Sequence, residues 1–232
     1  MYIETISMLE FEQERGRVVI IPFGSIEEHG PHLPLATDTT TVYELAIAAG
    51  EKTKALVAPP VYYGVCRSTK EHPGTITISA SVLRRLAKDI IKGFVRQRCQ
   101  RFVLFSGHAG TIHMAALKEA GEDLVEENVV KRIAVVSILD LVDKDLKLET
   151  ENDSHAGELE TSLMLYLRPQ WVKEFPKEDY PYFPKFLLVK EKRKYWPSGI
   201  WGNPQAASRE KGERFFHYLL GKLIKVVEMV KE

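Results

Sequence analysis

The sequence predicts an α/β fold, a single domain spanning residues 1–232 with a mostly parallel central sheet flanked by helices. Two observations lead there. Short apolar runs alternate with longer amphipathic stretches, the pattern that gives parallel strands joined by right-handed helical crossovers. The 232 residues, 44% of them hydrophobic, suffice for one sizeable core and are few for two.

In chain order, Val18 to Phe23 is the first expected strand, a compact apolar run. Thr39 to Lys52 carries apolar residues three and four apart and is expected as a helix. Ala55 to Val61 is the second strand, and Ser81 to Cys99 the next helix, with Ser79 or Ser81 as its cap. Phe102 to Ser106 and Ile133 to Leu139 complete the strands, with a helix over His113 to Glu127 between them. Glu174 to Pro204, rich in Pro, Tyr, Phe and Trp, is expected as a long elaborated loop. Its aromatics have three available uses, with covering the sheet edge or packing an oligomer interface expected ahead of walling a pocket. Glu210 to Lys231 closes the chain as an amphipathic helix.

Thirty-two basic and 32 acidic residues balance, with no basic block dominating, which argues against a dedicated nucleic-acid or membrane-surface protein. Small-molecule or protein partners are expected instead. Cys66 and Cys99 form no Cys-x-x-Cys pattern and no disulfide framework. The amino terminus lacks a basic, apolar leader and no segment is long and apolar enough to span a bilayer, so the expected location is cytoplasmic.

The densest chemistry lies just after the first strand. Between Gly24 and Thr40 the chain carries Glu27, His29, His32 and Asp38, four potential ligands in one short stretch. Carboxylate oxygen with imidazole nitrogen suits a borderline divalent cation such as Zn²⁺, Mn²⁺ or Fe²⁺, and a carboxylate can bridge two ions. Glu27 and His29 are separated by one residue, so an extended backbone directs both to one face and Glu28 away from it. Pro31 and Pro34 stiffen the turn that would return Asp38 to that face. His108 follows the third strand in a glycine-flanked turn, Gly107-His-Ala-Gly110, on the same rim. Two further segments converge on it, Ser68 to Thr75 and Asp153 to Ser162, the latter placing His155 before a helix and Glu158 or Glu160 in its first turns.

These motifs resemble the creatininase (creatinine amidohydrolase) family: Glu27-Glu-His-Gly-Pro-His-Leu-Pro-Leu with Asp38, then Gly107-His-Ala-Gly, then His155-Ala-Gly-x-x-Glu160-Thr-Ser, in the same order. The resemblance implies a four-layer-like α/β sandwich, a homo-oligomer (hexamer or dimer), and a centre of two divalent ions hydrolysing C–N bonds other than peptide bonds. Glu27, Asp38 and His108 would hold one ion, His29 and Asp38 the second, and His155 would be the catalytic histidine. The family's glutamate two residues after the ligand histidine is Gly110 here, which leaves the second ion to be completed by water, substrate or Glu160. Glu160 joins His155 as a catalytic candidate. No counterpart of the tryptophans that enclose creatinine is recognisable, which argues against creatinine as substrate.

The loop containing Arg67, Ser68, Lys70, His72 and Thr75 supplies the candidate substrate-binding residues. Two cations flanking hydroxyls suit a phosphate. This loop and the glycine in the second motif resemble the archaeal branch that deformylates a formylaminopyrimidine ribonucleotide in flavin and deazaflavin (F420) biosynthesis, for which Fe²⁺ is favoured and Zn²⁺ or Mn²⁺ are alternatives. Such a centre supplies a nucleophilic water at neutral pH, and His155 would stabilise the oxyanion or protonate the leaving amine. No Gly-x-Ser-x-Gly elbow makes Ser106 or Ser154 a nucleophile. Cys66 reads as a small buried residue ahead of a redox-sensitive one. The competing readings are another amidohydrolase, acting on a cyclic, linear or peptide-like amide, and a metal-binding regulatory homologue without turnover.

Overall fold

The computed structural model describes all of residues 1–232. Ser7 opens helix α1 (Met8–Gln13) with a capping box, its side chain accepting from the Glu10 amide while the Glu10 carboxylate accepts from the Ser7 amide. Strand β1 (Val18–Phe23) follows, then α2 (Thr37–Thr53), β2 (Leu56–Val57), α3 (Ala80–Arg96), β3 (Arg101–Ser106), α4 (Thr111–Glu126) and β4 (Arg132–Ser137). Helices α5 (Glu158–Leu167) and α6 (Arg209–Lys231) complete the chain. The sheet is wholly parallel in the order β2-β1-β3-β4. Every residue of β1 is buried, as expected of a strand paired on both edges and covered on both faces.

Alternation along the strands divides the core. Val18, Ile20, Val103, Phe105 and Val136 face α2, α5 and α6, where Leu45, Leu163, Phe215, Leu219 and Leu223 meet them. Val19, Ile21, Phe23, Phe102 and Leu104 face α3 and α4 through Leu83, Ile91, Leu117 and Leu124. Phe11 of α1 packs on the same side. One sheet between two helical layers makes three layers, so the four-layer arrangement implied by the resemblance is not formed.

The strand over residues 55–61 contracts to Leu56–Val57 because Pro59 and Pro60 have no N–H to continue the ladder; pairing resumes in an isolated bridge between Phe23 and Val61. Strand β4 ends two residues before the expected Leu139. Asp140 accepts from the Ser137 amide and hydroxyl, both at 2.8 Å, and turns the chain into a 3-10 segment at Leu139–Leu141. Residues 174–204 form an irregular excursion held by a 3-10 turn at Lys192–Lys194 and by bridges from Trp201 to His155 and from Gly202 to Asp179.

Candidate metal centre and active-site cleft

The site lies at the carboxyl ends of the parallel strands, where chains leaving a rigid sheet converge. After β1 come Ser25, Glu27 and His29; after β3 comes His108; the chain beyond β2 brings Cys66 and Thr69. Asp38 stands in the first turn of α2, where the helix dipole favours an anion. Gly107 permits that placement, since a β-carbon there would strike the Asp38 backbone carbonyl.

Asp38 faces two ways. Its Oδ2 lies 3.4 Å from His108 Nδ1, which is 2.7 Å from Glu27 Oε2. Its Oδ1 lies 3.1 Å from His29 Nε2, which is 3.7 Å from Glu160 Oε2. Asp38 thus stands between a Glu27–His108 pair and a His29–Glu160 pair, and donors on one tetrahedrally coordinated ion stand about 3.4 Å apart, a spacing of the same order. Each imidazole is oriented by its other nitrogen, as ligand histidines are. His108 Nε2 meets the Val65 carbonyl at 3.2 Å and His29 Nδ1 the Glu27 carbonyl at 3.1 Å. Both nitrogens act as donors there, which leaves the carboxylate-facing nitrogen of each ring for an ion. The carboxylates are held as firmly: Ser25 Oγ donates to Asp38 Oδ2 at 2.6 Å and Thr69 Oγ1 donates to Glu27 Oε1.

The electrostatics follow from burial and pairing. Burial disfavours charge on every member, but His108 and His29 beside them hold Glu27 at about 2 and Asp38 well below the usual carboxylate range. Burial likewise opposes charge on His29, and Asp38 and Glu160 overcome it, raising His29 to about 10. Burial raises Glu160. Glu27, Asp38 and Glu160 form no ion pair with a lysine or arginine; imidazoles and hydroxyls are their partners. Buried carboxylates with imidazole fit a borderline divalent cation.

His155 Nε2 donates to the Glu28 carbonyl at 2.8 Å, and its ring lies tilted at 33° against His29 with centroids 4.2 Å apart. A carboxylate oxygen of Glu160 and ring nitrogens of His29 and His155 all lie within 4.8 Å of one another, a group that could hold a metal ion. Asp153 caps α5 by accepting from the Glu158 and Leu159 amides at 2.7 and 2.9 Å, and Glu160 Oε2 accepts from the Ala156 amide at 2.6 Å. A cleft of about 320 Å³ opens above, lined by Glu27, Asp38, His108, His155, Glu160 and Ser68 among others.

Not every expected residue reaches this cleft. His32 lies apart from the carboxylates, its Nε2 2.8 Å from Thr161 Oγ1 beneath α5, where burial pushes its pKa down to about 4. Glu28 does turn away from Glu27 but is buried, accepting from the Gly30 amide at 2.9 Å with Oε1 3.5 Å from His155 Nε2. His72 donates to the Trp196 carbonyl at 2.6 Å, and Thr75 Oγ1 accepts from the Glu28 amide at 3.0 Å; both tie loops together outside the cleft lining. Arg67 and Lys70 are exposed and stand beyond the lining. Ser106 donates to the His108 carbonyl at 2.8 Å and supports the turn.

Other contributors were not anticipated. Trp196 and Trp201 line the cleft, so the aromatic excursion walls the pocket, the use ranked last, and the expected lack of tryptophans to enclose a substrate does not hold. The aromatic richness of 174–204 was the available signal. Ser25 and Thr69, short hydroxyl residues beside ligands, carried none. Lys192 comes close enough to Lys70 and Arg67 that, after burial, their charges lower its pKa, while Glu71 works in the opposite direction.

The comparisons with known proteins agree with this geometry. The model of a family described as creatininase, creatinine amidohydrolase, matches residues 4–227. A mycofactocin precursor peptide peptidase of Mycobacterium ulcerans is 32% identical over 85% of this chain and 79% of its own. Creatinine amidohydrolase of Pseudomonas putida is 28% identical over 84% of this chain and 83% of its own. In structure, a putative creatinine amidohydrolase of Bacteroides fragilis superposes with a TM-score of 0.87 at 26% identity, covering 100% of this chain and 96% of that one. Creatininases of the same fold are known in manganese and Zn–Zn forms. With the family model spanning nearly the whole chain, this protein belongs to the creatininase family of hydrolases acting on C–N bonds.

Proposed function

We propose that the protein is a metal-dependent deformylase of a formylaminopyrimidine ribonucleotide 5′-monophosphate, acting in the cytoplasm on the route to flavin and deazaflavin cofactors. One observation carries the choice among amide substrates. The loops carrying Arg67 and Lys70 and carrying Lys192 meet where the Arg193 amide donates to Glu71 Oε2 at 3.5 Å, the charges of Arg67 and Lys70 act on Lys192, and none of the three cations forms an ion pair. The adjoining Ser68 and Thr69 line the cleft, so a phosphate gripped by these cations extends a substrate towards the ligands. Neutral creatinine has no use for such a grip.

Glu27, Asp38 and His108 would hold one divalent ion and His29, Asp38 and Glu160 the second, Fe²⁺ favoured with Zn²⁺ and Mn²⁺ as alternatives. Ions there supply Lewis acidity towards a formamide carbonyl and the acidity that makes water a nucleophile at neutral pH. The chain's own groups do the rest. With Nε2–H committed to the Glu28 carbonyl, His155 has Nδ1 left to exchange a proton with the leaving amine. Trp196 and Trp201 offer flat apolar walls for a pyrimidine and exclude water from the reacting bond. Arg67, Lys70 and Lys192 orient the substrate without touching that bond.

We further propose a homo-oligomer. Tyr182, Phe186, Leu187 and Leu188 project from the excursion into solvent, an apolar tip more readily understood as covered by another subunit. A second substrate reading, cleavage of a peptide-like C–N bond, is favoured by the peptide peptidase relatives. The two separate on phosphate. In the deformylase reading Arg67→Ala and Lys192→Ala each raise KM for the nucleotide about ten- to hundred-fold, the loss of about 1.5–3 kcal/mol expected of a charge-assisted hydrogen bond. KM for the dephosphorylated nucleoside stays unchanged. Equal effects on both substrates would remove the phosphate role.

A further inference from the structure

We propose that the Cys66 thiolate is a fourth protein donor to the ion that Glu27, Asp38 and His108 hold. The proposal rests on the metal-centre reading above and adds to it a sulfur ligand. Cys66 is fully buried, and its Sγ, a Glu27 carboxylate oxygen and a His108 ring nitrogen all lie within 4.8 Å of one another. Donors bound to one ion at about 2.0–2.3 Å fall within that spread.

Hydrophobic packing does not explain the burial. Cys99 is a member of the apolar cluster under α3 and α4, whereas Cys66 belongs to no apolar cluster. Its surroundings are polar: burial and the Glu27 and Asp38 carboxylates raise the thiol's pKa, and the Ser25 hydroxyl works against them, so the thiol stays protonated until a cation offsets those charges. The backbone is also built to aim the sulfur. The Cys66 amide donates to Thr77 Oγ1 at 2.9 Å, and the Ile78 amide donates to the Gly64 carbonyl at 2.9 Å, pinning the segment from both sides. The carbonyl of the preceding residue, Val65, is the one that orients His108. One dipeptide therefore sets the imidazole and presents the thiol.

A Glu, Asp, His and Cys set is softer than carboxylates and imidazole alone, and it shifts preference towards Zn²⁺, Fe²⁺ and Co²⁺ and away from Mn²⁺. On binding, the S–H proton leaves to solvent and the sulfur lone pair forms the metal–sulfur bond.

Cobalt reports this directly. The full-length protein loaded anaerobically with Co²⁺ should show a near-ultraviolet sulfur-to-cobalt charge-transfer band beside the visible ligand-field bands. Cys66→Ser should lose the charge-transfer band and keep the visible bands, and Cys99→Ser should keep both. X-ray absorption of the unmutated zinc protein gives a reading independent of any variant, with a sulfur scatterer at about 2.3 Å. Bound cobalt without the charge-transfer band, or zinc with only nitrogen and oxygen neighbours, would overturn the sulfur ligand and leave the metal centre standing. Failure to bind either ion would overturn both.

Discussion

In the proposed centre Asp38 is the residue on which both positions depend, because one oxygen faces His108, itself paired with Glu27, while the other faces His29. Its replacement by alanine removes a donor from both proposed positions and leaves His108 with Glu27 alone and His29 with Glu160 alone. Asp38→Ala should retain less than a tenth of the bound metal and reduce hydrolysis by at least a hundredfold, since even partners one bond beyond the ion are worth about 10–100-fold. Metal analysis by plasma emission together with a turnover assay checks this; retained activity would remove the shared-carboxylate centre. At this scale the sequence was legible where residues are close together. Glu27, His29 and Asp38 could be grouped because a strand end and a turn constrain them locally. His32 misled because spacing gives proximity but not direction, and the turn sends its ring beneath α5 to Thr161. Cys66 and Lys192 were obscured for the opposite reason: their partners lie far along the chain, and only tertiary packing makes them neighbours.

Elements translate those residues into geometry. Helix α5 carries Glu160, and its position is set by α6, which approaches so closely at Gly212 that a β-carbon there would run into the Ser162 backbone carbonyl. Gly212→Ala should cost about 1–3 kcal/mol, the usual penalty of overpacking, offset little by the helix propensity gained. Thermal unfolding of the variant should show a lowered midpoint, with metal retention falling at the second position as α5 is displaced. An unchanged midpoint would mean that the helices separate freely. Strand existence was readable from apolar runs, and helices from their spacing, yet the ends moved for identifiable reasons: Pro59 and Pro60 broke β2, and Asp140 ended β4. Helix α1, at six residues, is too short for periodicity to register, although Ser7 and Glu10 spell its capping box.

In the whole molecule, a parallel sheet brings the candidate ligands together at one rim while its helical layers bury the strands. The aromatic excursion then serves two ends, Trp196 and Trp201 at the cleft and an apolar tip around Leu188 in solvent. That division could not be read from composition, which records how many aromatics a segment has and not which way each faces. If the tip is a subunit contact, Leu188→Asp should shift the mass measured by light scattering towards the monomer at micromolar concentration while the circular dichroism stays unchanged. An unaltered oligomer would place the interface elsewhere. The decisive measurement is formate release from the formylaminopyrimidine ribonucleotide by protein purified without oxygen and loaded in turn with Fe²⁺, Mn²⁺ and Zn²⁺. The account predicts metal-dependent formate with Fe²⁺ foremost; full metal occupancy with no formate from any of the three would contradict the deformylase and return the cleft to another amide.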